Sequence, residues 1–215
     1  MSIYQSEALT LRTYPYGEGH KIAVFLTREH GIVRGAAHGA QSGKLRFGSA
    51  LEPLTHLCLS FRQRENQDLA TIQSCEIIRP FAAYGLSLEQ SLYLSYYAEL
   101  LSEFGQEMKR DERLFRLGLA VLDASERVPV VGLARYLELW LLQLEGVLPA
   151  LDKLLPQELA AKTREMMRRP PAKFPDHQWP PEELKRLDRL TSRLIEGHLE
   201  KRLKSRKMLE EMLKG

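Results

Sequence analysis

Apolar residues recur at every second position in the first third of the chain: Leu9 and Leu11, then Ile22, Val24 and Leu26, then Leu57, Leu59 and Phe61. That period puts them on one side of an extended chain, the pattern of a strand with one buried face. Ile32, Val33 and Arg34 form another extended run, and a last one covers 69–78 and stops before Pro80. Turn-forming clusters separate the runs: Pro15-Tyr16-Gly17-Glu18-Gly19, Glu29-His30-Gly31 and Arg64-Glu65-Asn66-Gln67-Asp68. Five strands within residues 5–80, with the longest connection between the third and fourth, predict a small Greek-key barrel such as the OB-fold. An SH3-like barrel would use similar strands.

Beyond Pro80 the period becomes helical. Ser87-Leu88-Glu89-Gln90 is a capping-box pattern, and Leu92, Tyr96, Leu100 and Phe104 follow on one face. A second helix is expected from Asp111, carrying Leu114, Leu117, Val121 and Leu122 and ending before Pro129. A third is expected over 133–147, with Leu137, Trp140, Leu141 and Leu144. A short helix over 156–167 precedes Arg168-Arg169-Pro170-Pro171-Ala172-Lys173-Phe174-Pro175, where proline forbids helix and central strand. The last helix opens at Pro181 and continues through Leu184, Leu187, Leu190, Leu194, Leu199 and Leu203. The reading is α+β, with an OB-fold barrel over 1–80 and an all-α domain over 81–215.

Charge changes this picture only when divided along the chain. The net charge of +3 hides nine Lys/Arg against seven Asp/Glu in 1–80, seven against twelve in 81–160, and ten against five in 184–215. The basic character lies at the two ends. No apolar run approaches the ~20 residues that span a bilayer, and a cytoplasmic protein with no membrane partner is expected. Cys58 and Cys75 read as half-buried thiols, since two thiols alone do not close a zinc site. His20, His30, His38 and His56 lack helical metal-site spacing, so no metal and no cofactor are expected.

The candidate chemistry sits in 31–53. Gly35, Gly39 and Gly43 let backbone approach a ligand, and Arg34, His38, Lys44 and Arg46 gather around Phe47. Cations interleaved with an aromatic suit a phosphate backbone with exposed bases. Arg12 and Lys21 on the neighbouring strands add to this set, and Lys201, Arg202, Lys204, Arg206 and Lys207 form a second one near the carboxy terminus. Gly39-Ala40-Gln41-Ser42-Gly43-Lys44 is not a P-loop, because His38 stands where glycine is needed and Leu45 follows the lysine. Gly-x-Ser-x-Gly is absent, and nothing points to an enzyme or to a small-molecule substrate. Together the basic sets point to a nucleic-acid surface, most simply single-stranded.

Several stretches in order resemble one family. They are Ala8-Leu9-Thr10-Leu11-Arg12 followed by Pro15-Tyr16-Gly17-Glu18; Leu26-Thr27-Arg28-Glu29-His30-Gly31; and Phe47-Gly48-Ser49-Ala50-Leu51-Glu52-Pro53. Further along come Tyr136-Leu137-Glu138-Leu139-Trp140 with Gly146-Val147-Leu148-Pro149, and a tail from His198-Leu199-Glu200 through Leu203-Lys204-Ser205 to Leu209. These are similar to the bacterial RecO recombination mediators. The resemblance implies an OB-fold on a helical domain, binding of single- and double-stranded DNA, and annealing of complementary strands. It also implies work with RecR and with the acidic tail of the single-stranded DNA-binding protein, to load RecA in DNA repair. Two departures stand out. Many members carry four cysteines after the segment matching Leu148-Pro149-Ala150-Leu151-Asp152, where this chain has Lys153 and no later cysteine; and His38 and Gln41 stand where Lys or Arg is usual. The alternative from another class is an adaptor whose helical domain docks a repair partner and whose barrel is a scaffold.

Overall fold

The computed structural model describes residues 2–40, 47–64, 67, 69–81, 85–173 and 179–212. The alternating runs become β1 (Ser2–Tyr16), β2 (His20–Thr27), β3 (Gly31–Ala37), β4 (His56–Gln63) and β5 (Ala70–Arg79). They close into a barrel in the order β1-β2-β3-β5-β4, antiparallel except where β3 meets β5. This is the OB-like arrangement that the spacing predicts. One boundary moves: Pro15 and Tyr16 stay in β1, opposite Lys21 and His20, so the turn begins only at Gly17.

Phe25, Val33, Leu57, Leu59, Phe61 and Ile72 fill the barrel. Phe47 joins them at 5 % exposure, with Ala50 and Leu51 of a single 3-10 turn, Gly48–Leu51. The turn is pinned where β1 bulges: Thr10 Oγ1 donates to Ala50 O (2.8 Å), and Leu54 N donates to Thr10 O (2.6 Å). The expectation of Phe47 as an exposed aromatic is therefore corrected. Its ring is worth more removed from water in the core, about 1.5–3 kcal/mol, than held at the surface.

Six helices follow among the described residues: α1 (Leu88–Phe104), α2 (Glu112–Ala124), α3 (Val130–Leu144), α4 (Gln157–Arg168), α5 (Pro181–Leu199) and α6 (Lys204–Met212). The capping box at α1 forms in both directions, Gln90 N to Ser87 Oγ (3.1 Å) and Ser87 N to Gln90 Oε1 (2.8 Å). α3 starts earlier than its leucines suggest, because Pro129 enters the first turn directly and serves as its cap. The expected single last helix is two: Glu200 turns left-handed (φ 53°), and α6 folds back through ion pairs to α5.

The chain forms two compact units, Met1–Gly85 with Ala98–Arg116 and Leu86–Tyr97 with Leu117–Gly215. In the first, β3 pairs with β5 only through Gly35 and Ala36, which leaves the start of its edge open. The segment after α1 covers that edge: Ile32 N donates to Gln106 O (2.9 Å), and Met108 N donates to Ile32 O (3.0 Å). Arg28 reaches Glu112 at the start of α2 (2.8 Å), and this hydrogen bond holds the carboxylate below its usual range. The glycines thus serve internal packing as well. A Cβ on Gly35 would lie 2.3 Å from Ile72 Cδ1, and the close approach that the sequence suggests for a ligand is made here by the protein itself.

The second unit holds a buried polar network. Glu138 on α3, fully buried, accepts from Arg135 (2.7 Å), Tyr96 Oη (2.8 Å) and Thr191 Oγ1 (2.5 Å). Asp188 on α5 is held by Arg135 and, through both carboxylate oxygens, by Arg206 (2.6 and 2.5 Å). Burial pushes the Tyr93, Tyr96 and Tyr97 hydroxyls above the ordinary tyrosine range, and Glu138 pushes Tyr96 further. Unfolded tyrosines lose their protons near pH ~10 while these keep theirs, so the folded state binds more protons and stability falls as pH rises beyond that point. Denaturant titrations at increasing alkalinity are expected to show a loss of up to about 1.4 kcal/mol per pH unit for each such tyrosine. Tyr96→Phe should reduce that slope; an unchanged slope would mean the hydroxyl ionises without unfolding.

Candidate nucleic-acid interface

The barrel's register builds a row that the sequence does not display. Tyr16 on β1 pairs with His20 on β2, whose ring meets His38 edge-on just beyond β3 (4.9 Å between centroids). Ala36 on β3 pairs with Thr71 on β5, and Thr71 pairs with Arg62 on β4. Neighbours along each strand, such as Ala37, Phe61 and Ile72, point into the core, so alternation turns this row away from it. The β4–β5 connection adds Arg64 and Gln67, and with Tyr16, Ala36, His38, Arg62 and Thr71 they line an open groove of about 640 Å³. Its floor is small, Ala36 and Ala70, so the cleft stays open. His38 is held in place indirectly, because Gly39 N donates to His20 Nδ1 (3.0 Å).

Tyr16 is 46 % exposed and offers a flat face to a base, and the guanidinium groups of Arg62 and Arg64 suit phosphates. Tyr14 lies two residues back on the same face of β1 and is also exposed. Of the described residues expected from sequence, only His38 lines this groove. Arg34, on the same face of β3, is paired with Glu107 (2.6 Å), and Arg12 with the nearly buried Glu99 (3.0 Å). Lys21 is half-buried, on the opposite face of β2 from His20. Lys44 and Arg46 lie outside the described residues.

The carboxy-terminal set does not form one helix face. Lys201 and Arg202 occupy the turn before α6, with Arg202 held by Glu196 and Glu210. Lys204 opens α6 and is exposed, as is Lys207, which sits 4.0 Å from Glu211. Arg206 is corrected: it is buried in its fork-to-fork bond with Asp188 and is not presented to a ligand. Tyr16, Arg62 and Arg64 are the residues that sequence reasoning missed. The signal that could have found them was an aromatic and two arginines at the ends of paired strands, and it needs the register to be read.

The segment after Asp152, where many members of the resembled family carry four cysteines, has none in this chain. After Asp152 come α4 and its surroundings, with Leu155, Leu159, Ala160, Met166 and Trp179 buried and Lys162 4.5 Å above the Trp179 ring. The chain's two thiols are both in barrel strands, and no trio of metal-binding side chains is found among the described residues.

The barrel order defines an OB-like class of protein, here followed by a helical unit. Residues 1–81 match the family model for the recombination protein O N terminal region, and residues 86–154 that for its C terminal region. The DNA repair protein RecO of Koribacter versatilis (strain Ellin345) is 30 % identical over 240 residues, covering 97 % of this chain and 98 % of that one. Those of Anaeromyxobacter sp. (strain K) and Pelotomaculum thermopropionicum are 37 % and 35 % identical, over 67 % and 71 % of this chain and 57 % and 59 % of theirs. The chain belongs to the RecO family of DNA repair proteins.

Proposed function

We propose that this protein is a non-enzymatic recombination mediator that binds DNA, anneals complementary single strands and helps load RecA on DNA coated by the single-stranded DNA-binding protein. The observation that carries the reading is the groove of Tyr16, His38, Arg62 and Arg64 on an OB-like barrel in a chain of this family. Neutralising phosphates on a cationic surface lets two strands approach, and stacking on Tyr16 holds bases outward for pairing. No bond is made or broken in this scheme, and no cofactor enters it. RecR and the acidic tail of the single-stranded DNA-binding protein are the partners that would redirect the coated strand.

Annealing of two complementary oligonucleotides, each coated with the single-stranded DNA-binding protein, tests it. The intact chain should accelerate annealing, and a Tyr16→Ala/Arg62→Gln/Arg64→Gln variant should not. Its affinity for a single strand should drop by about 1–3 kcal/mol for the lost stacking, and the log-log salt slope should become shallower by about 1.4 for two phosphate contacts. An intact chain without effect on annealing would instead favour the adaptor role.

A further inference from the structure

Charge on α5 is sorted by the fold. Its sequence is balanced, with Lys185, Arg186, Arg189 and Arg193 against Glu182, Glu183, Asp188 and Glu196. Three of the anions are spent on other parts of the chain: Asp188 on Arg135 and Arg206, Glu183 on Lys162, and Glu196 on Arg202. The four cations are all exposed. Lys185 has Glu182 at 3.1 Å, and among the described residues Arg186, Arg189 and Arg193 make no ion pair. A helix that is neutral by count therefore presents four exposed cations, with Glu182 at its start as the one anion not spent elsewhere in the chain.

The arrangement is linear. Lys185, Arg189 and Arg193 follow at four-residue intervals and share one face, with Arg186 beside them. The row spans about 12 Å along the axis, at roughly 1.5 Å per residue. It continues to the exposed Gly197, where a Cβ would meet nothing within 4 Å. α5 carries no aromatic residue, and Pro181 is the only apolar residue among its exposed positions. A peptide ligand is selected by side-chain pockets, which this face lacks, whereas a polyanion with regularly spaced charges needs only such a row.

We propose that this face of α5 is a contact for the phosphate backbone of DNA, blind to base sequence and made by residues other than those of the barrel groove. The proposal rests on the DNA-binding reading above and assigns a second surface to it.

The test uses the full chain and a labelled oligonucleotide, single-stranded or duplex, titrated between 50 mM and 200 mM salt. For an Arg186→Gln/Arg189→Gln/Arg193→Gln variant the log-log slope should become shallower by about 2 on single strands and by about 3 on duplex, from about 0.7 and 0.9 per lost contact. The ratio of the two changes tells which form of DNA the row holds. If the parent binds DNA and the variant keeps its full slope, the α5 proposal is overturned while the groove reading stands. If the parent shows no salt-dependent binding, the DNA reading itself falls. A variant that keeps its DNA slope but loses a polyglutamate peptide bound by the parent would assign the row to an acidic protein partner and overturn the proposal. Should the triple variant fail to fold, Arg186→Gln and Arg193→Gln singly should each remove about 0.7 from the single-strand slope.

Discussion

Replacing Gly31 by alanine is expected to cost the barrel unit at least about 4 kcal/mol, in the range reserved for severe backbone and packing faults. Two effects add. The residue sits at φ +62°, which an L side chain pays for by roughly 1–2 kcal/mol, and its Cβ would lie 2.0 Å from Lys109 O and 2.5 Å from Gln106 O. Neither contact is with a flexible side chain, so the covering segment must retreat. The hydrogen bonds of Ile32 with Gln106 and Met108 then weaken, at about 0.5–1.5 kcal/mol each. Gly17→Ala is the control, with a similar φ of +56° and nothing within 4 Å of its Cβ. It should cost only the backbone strain. Urea midpoints for the two variants should differ clearly, and near-equal values would show that the covering segment is not firmly seated on β3.

The second large effect is expected at Glu138. Glu138→Leu leaves the fully buried Arg135 without one of its two carboxylate partners and takes the acceptor from Tyr96 and Thr191. Removing one member of a buried ion pair costs about 3–5 kcal/mol, because the remaining charge stays desolvated. Arg135→Met/Glu138→Leu should recover much of this, since apolar replacements avoid the desolvation penalty and Asp188 retains Arg206. Thermal unfolding of the two singles and the double closes the cycle. A double variant as unstable as the sum of the singles would mean that the pair is not coupled.

What was legible in the sequence follows from what each pattern is made of. Period-two runs and turn residues reflect local backbone and burial, and so β2, β4 and the barrel order could be anticipated. The capping box at Ser87 and Gln90 is equally local and forms as expected. Phe47 was misread because an aromatic among cations looks the same whether it stacks on a base or wedges a core; the 3-10 turn that follows it decides. The groove could not be seen, because Tyr16, His38, Thr71 and Arg62 become neighbours only through strand register. Leucines at helical spacing continue across Glu200, and the ion pairs that bend α6 back carry no periodic signal. Charge counts hid the row on α5 for a related reason: anions and cations cancel in sequence and separate in space.

The strip of backbone that covers β3 has a consequence for how the molecule is made. Chains are synthesised from the amino terminus at about 5–20 residues per second. All five strands are complete by Arg79, but the groups that satisfy Ile32 arrive only with Gln106 and Met108. For the interval between, a nascent barrel carries a bare strand edge, the kind of surface on which neighbouring chains can pair. The same exposure would follow any cut made between the last strand and residue 105, so a trimmed barrel should be prone to self-association even where each of its strands is intact.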